Sequence, residues 1–222
     1  DGASTDDCVV ERSGAAALTN ELANSSAPLG TSNSGTAPFY SCVSTPVVPL
    51  TELSNHGLRT AFKAKIDHLS ASGGTAGHIG TAWGWYVLSP EWNSVWPANA
   101  ARAYDANKVI KAVVLMTDGD FNISYANGGE AHPWPDPLSS DPATVGTSGH
   151  QALALCDAMR NTGSADRNIQ IYTVAFQAPA GAEAMLRQCS GDENYYDTST
   201  AGQLNDAFRD IVKRLNNLRV TS

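Results

Sequence analysis

Hydrophobic residues in this chain gather into a few dense runs separated by long polar stretches. The run "VIKAVVLM" (109–116) is short, apolar and rich in β-branched residues, which predicts a buried strand. "IQIYTVAF" (169–176) predicts a second strand and "NYYDT" (194–198) a brief third. Elsewhere the apolar spacing lengthens to that of a helix. Leu58, Phe62, Ile66 and Leu69 recur at helical intervals and predict an amphipathic helix over 58–69. A second helix is predicted over 78–89, ended by Pro90, and a third over 147–163, with Gly163 at its exit. A short helix follows at 181–189. A last one spans 201–218, with Leu204, Phe208, Ile211, Val212 and Leu215 on one face. Helices alternating with strands predict an α/β fold: an open parallel sheet with helices on both faces.

The remaining segments read as connections. Residues 1–46 are rich in Ser, Thr, Ala, Asn, Gly and Pro and have almost no periodicity, so they are expected to be an irregular segment of a single domain spanning 1–222. Residues 47–222 carry the α/β portion. An aromatic loop with a helical turn is expected over 91–107, and a polar loop with four prolines over 121–146.

The cysteines change this picture. Cys8 and Cys42 bracket the irregular segment, while Cys156 and Cys189 lie in predicted helices. Four cysteines without a C-x-x-C pair argue against a zinc ribbon and predict the disulfides Cys8–Cys42 and Cys156–Cys189. That pairing points to an oxidising, extracytoplasmic compartment. Buried free thiols are the alternative, since a thiol packs as a small hydrophobe.

Charge and chemistry narrow the function. The net charge is −8, and no basic stripe exists for tracking phosphates, so nucleic acid is not an expected partner. Arg209, Lys213, Arg214 and Arg219 read instead as the solvated end of the last helix. No apolar run is long enough to span a membrane. The histidines form no zinc-hydrolase pattern, and no nucleophile elbow or P-loop occurs, so the chain is not expected to be an enzyme. His78 is expected to hydrogen-bond locally at a helix start. Trp92, Trp96 and Trp134 lie in predicted loops and are candidate partner-binding residues. The opposing reading is local packing over long loops.

The most suggestive feature is Thr117-Asp118-Gly119-Asp120 at the carboxyl end of the first strand. Open α/β sheets place their ligands beyond the carboxyl ends of the strands. A carboxylate in such a crevice is costly unless it is paired, and a hard divalent cation is one partner. Thr75, in "SGGTAGH" before the second helix, is the hydroxyl that could join it. The plainer readings are that T-D-G is a turn and that Thr75 caps a helix.

"GGTAGHIGTAWGWYVLSPEWNSVWP", "VVLMTDGDFN", "IYTVAFQ" and "YYDTSTAGQLNDAFRDI" together resemble the von Willebrand factor type A (vWA) domain. More narrowly, they resemble the TadG-like proteins of tight-adherence (Flp) pilus systems in bacteria. The resemblance implies a Rossmann-like open sheet and a metal-ion-dependent adhesion site (MIDAS) taking Mg²⁺ or Ca²⁺, with Thr75 and Asp118 as ligands. It also implies a D-x-S-x-S loop after a first strand, and this chain has neither. The N-terminal strand is therefore expected to be missing from this sequence or supplied by another chain; a rearranged fold that needs no such strand is the third option. The function so implied is a non-enzymatic adhesion or pilus-assembly module at the periplasm, cell surface or exterior. It would bind a protein partner, either a pilus component or a surface receptor. The alternative is a structural subunit that assembles by strand completion around a non-functional metal site.

Overall fold

A computed structural model describes residues 7–12, 14–33, 45–70, 74–96, 101–104, 109–126, 130–133, 147–162 and 169–220. In chain order the elements are β1 (Asp7–Arg12), β2 (Leu29–Asn33), α1 (His56–Asp67), α2 (Gly77–Leu88), β3 (Ala112–Thr117), β4 (Ile123–Ala126) and β5 (Glu130–Pro133). They continue with α3 (Ser148–Arg160), β6 (Gln170–Phe176), α4 (Ala180–Ser190), β7 (Tyr195–Thr198) and α5 (Ala201–Val220). The expected alternation is present. β3, β6 and β7 form a parallel sheet in the order β3-β6-β7, with Val113 opposite Ile171 and Val174 opposite Tyr196.

The two-residue period of β6 assigns its faces. Ile169, just before it, and Ile171 and Ala175 within it join the clusters beneath α2, α3 and α4. Tyr172 and Val174 face the other way and pack against Ile211 of α5. Helices therefore cover both faces of β6. The disulfide Cys156–Cys189 ties α3 to α4 within the first layer, as expected. Cys42 lies outside the described residues, so the Cys8–Cys42 pairing does too.

Three connections are more ordered than their composition predicts. Residues 1–46 are not wholly irregular: β1 and β2 pair antiparallel, with a register shift between Val9 and Arg12. A 3-10 turn over Gly14–Leu18 lies between them. Backbone pairing does not need an alternating apolar pattern, which is why sequence periodicity missed this hairpin. The expected polar loop over 121–146 likewise holds the β4–β5 hairpin. The aromatic loop after α2 contains a 3-10 turn over Pro90–Trp92 and is packed inward.

Asn20 fastens the N-terminal segment to that loop. Its side-chain amide donates to Ser89 Oγ at 3.0 Å and to the Tyr104 hydroxyl at 3.3 Å, and its carbonyl accepts from Trp92 Nε1 at 3.0 Å. Trp92 is 1% exposed and stacks on Tyr86 at 4.2 Å between ring centroids. It is a core residue and cannot serve as a partner-binding surface. Trp96 is half-buried against the same cluster and donates to the Tyr86 carbonyl at 3.3 Å. Trp134 lies outside the described residues.

α1 differs from the other helices. Asn55 caps it by accepting from the Leu58 amide at 2.9 Å, and the predicted apolar stripe is present. None of its residues is buried, however, and Leu58, Ile66 and the following Leu69 are exposed.

Candidate functional site

The site is built where the loop after β3 meets the loop before α2. Thr117 ends β3 and closes a tight turn: its hydroxyl donates to the Gly119 carbonyl at 2.9 Å and accepts from the Gly119 amide at 3.2 Å. This is the turn chemistry expected of T-D-G, and it leaves Asp118 exposed at the tip. Three residues after Asp118, Phe121 dives into the core beside Ala152, Ala175, Met185 and Leu186, which pins the loop.

Thr75 is fastened to the same loop. Its amide donates to Asn122 Oδ1 at 2.7 Å, and the Ile123 amide donates to the Thr75 carbonyl at 3.1 Å. The backbone of Thr75 and the loop carrying Asp118 and Asp120 thus share one rim of the sheet. Two glycines permit the contact. A Cβ on Gly77 would stand 2.1 Å from the Phe121 ring, and one on Gly74 would stand 2.5 Å from Ile123. The "GGTAG" run is needed for close approach of two loops, whatever else it does. Thr75 does not cap α2, whose N-cap is Ala76 with no side-chain cap bond.

The two loops of this rim carry hard oxygens, the Thr75 hydroxyl on one and the carboxylates of Asp118 and Asp120 on the other. They suit Mg²⁺ or Ca²⁺ in kind. Asp120 Oδ1 is a buried oxygen with no hydrogen-bond partner, the sort of atom a cation would satisfy. In number they fall short, because no group of three or more His, Cys, Asp or Glu placed to hold a metal occurs among the described residues.

Sequence reading missed the polar chain behind the rim. The His78 ring reaches two distant elements. Its Nδ1 lies 2.8 Å from Ser148 Oγ, at the start of α3, and its Nε2 lies 3.1 Å from Glu11 Oε2, on β1. The Glu11 contact is within ion-pair distance but is not an aligned hydrogen bond. Thr147 caps α3 by accepting from the His150 amide at 3.3 Å. Serine, histidine and glutamate stand in line, yet Ser148 is 0% exposed, so a substrate carbonyl has no approach to its hydroxyl. The only sequence signal was a charged pair, Glu11-Arg12, closing an apolar strand. Both side chains are buried, and Arg12 donates to the Thr19 carbonyl at 2.6 Å and to the Thr19 hydroxyl at 2.8 Å.

At the opposite end of β3, Lys111 is buried and donates to the Leu88 carbonyl at the end of α2, beneath the Tyr104 ring. Burial lowers its pKa from 10.5 to about 8.

These features define an α/β protein whose three-stranded parallel sheet is flanked by helices and carries an oxygen-rich rim at the carboxyl end of β3. No protein-family model matches the chain, and no curated protein matches it.

Proposed function

We propose that this chain is a vWA-type, TadG-like adhesion or pilus-assembly module that binds a protein partner at the β3 rim. The observation that carries the reading is the stitching of the Thr75 loop to the loop bearing Asp118 and Asp120. It puts the hydroxyl-bearing and carboxylate-bearing segments side by side, at the edge where parallel sheets bind ligands. Thr75, Asp118 and Asp120 would hold a divalent cation together with donors from outside these residues. When bound, such an ion offers a Lewis-acidic seat for a carboxylate of the partner. The chain's own residues shape that seat: Phe121 anchors the loop, Thr117 sets its turn, and Asn122 holds the Thr75 backbone. The Cys156–Cys189 disulfide supports an extracytoplasmic location. No helix among the described residues is long and apolar enough to cross a membrane.

The test is calorimetric titration with Mg²⁺ and Ca²⁺, paired with an adhesion assay. Asp118→Ala is expected to abolish both the heat of binding and metal-dependent adhesion; adhesion that is unchanged in this variant rules the mechanism out.

A second reading, assembly by strand completion, is favoured by β3 itself. Among the described residues it pairs only with β6, and Val114 and Met116 are 38% and 43% exposed. An edge strand of this kind accepts another strand. This reading expects no specific heat with either ion and an unaltered partner complex in Asp118→Ala.

A further inference from the structure

We infer that Glu11 of the N-terminal hairpin is a positioning residue for the rim, acting through His78 and Ser148. The inference rests on the rim reading above and adds a means of controlling it. Three elements far apart in sequence meet in this chain of contacts: β1 through Glu11, α2 through His78 and α3 through Ser148. All three residues are buried.

Position within the helices gives the contact its consequence. His78 lies in the first turn of α2, one turn after Thr75, and Ser148 is the first residue of α3. The amino ends of helices carry partial positive charge, and a carboxylate is stabilised beside them. Glu11 brings a carboxylate to the side chain that joins two such ends. His78 therefore locks α2 to α3 at their rim ends, and Glu11 orients the imidazole that does so.

Polar attachments help to hold the Thr75 loop in place. One is the bonding to Asn122 and Ile123, and another is the His78 clamp. If the hairpin lets go, the clamp loses its orienting carboxylate and holds the loop less firmly. The hairpin and the rim are thus coupled, and coupling between two sites is reciprocal. Occupation of the rim strengthens docking of the hairpin, and a docked hairpin keeps the rim formed.

Hydrogen–deuterium exchange on the full chain tests this. Glu11→Gln keeps the shape of the side chain and removes its charge; His78→Asn keeps a polar group toward Ser148 and cannot reach Glu11. Both are expected to speed exchange of amides 74–78 and 118–123 by about tenfold while β6 keeps its wild-type protection, the pattern of a local opening. In the reverse direction, Asn122→Ala at the rim is expected to speed exchange in β1. Rim exchange unchanged in both hairpin-side variants overturns the inference. So does a rise that runs in step with β6, which is what a merely structural role produces. Titration with Mg²⁺ is the second arm, with weaker uptake expected in Glu11→Gln than in wild type and equal uptake counting against the coupling. A wild-type chain that takes up no Mg²⁺ overturns the metal reading instead, and the exchange comparison still decides whether hairpin and rim are coupled.

Discussion

β6 and β3 carry similar strings, QIYTVAF and AVVLMT, and meet different surroundings. β6 has a strand on each side and helices on both faces, and its five inner residues are all buried. β3 has the α2–α4 layer on one face, where Val113 and Leu115 pack. On its other face only Ala112 reaches the α5 cluster, and Val114 and Met116 stay exposed. α5 shows the same asymmetry, with Ile211 buried and Phe208 and Val212 exposed. An apolar run thus marks a strand able to be buried on both faces; which faces are covered depends on the neighbours it finds.

This contrast can be tested by truncation. Leu186→Ala beneath β6 is expected to lower stability by about 2–5 kcal/mol, because a packed interior cannot collapse onto the gap. Met116→Ala on the open face of β3 is expected to cost less than about 1 kcal/mol, as most surface changes do. Urea denaturation of the two variants gives the difference directly. If a partner completes the sheet, the cost of Met116→Ala rises in the complex while that of Leu186→Ala stays put.

A smaller effect is expected at the join between the β3 loop and α2. Gly77→Ala pushes a methyl group into the Phe121 ring and should cost about 1–3 kcal/mol through overpacking. Because Phe121 anchors the rim loop, the same variant should also loosen amides 118–123. Gly80 has open space where a Cβ would go, so Gly80→Ala is the control that should not destabilise the chain.

The gentlest probe is pH, and it addresses the covered end of β3. Lys111 loses its proton near pH 8 in the folded chain and near 10.5 when unfolded. Between those values the unfolded state holds the extra proton, so stability rises with pH from about 8 upward and is lost again as pH falls back through 8. Lys111→Met should flatten that slope in thermal melts taken between about pH 8 and pH 9.5, below the range in which free tyrosines ionise.

Much of the architecture was legible from neighbouring residues. The run 109–116 covers β3 except its last residue, Thr117, and 169–176 coincides with β6 to within a residue. α1, α2, α3, α4 and α5 each fall near their predicted spans, because helical spacing and terminating residues are local signals. Cysteine parity and position anticipated Cys156–Cys189. The hairpins were not legible, since β1, β2, β4 and β5 pair through backbone atoms that carry no pattern of side chains.

The candidate site divides along the same line. Asp118 could be picked out because it sits in a turn at the end of a strand, and Thr75 because it follows two glycines ahead of a helix; both signals are written in adjacent residues. Their common rim, the burial of Trp92 and the Glu11–His78–Ser148 chain depended on tertiary structure. The imidazole of His78 meets a hydroxyl 70 positions away, and the Trp92 indole meets a carbonyl 72 positions away. Sequence alone determined which segments become helices and parallel strands, because those choices rest on spacing between near neighbours. Only the folded chain decided which polar groups meet and which apolar faces are covered, because both depend on elements brought together across long stretches of chain.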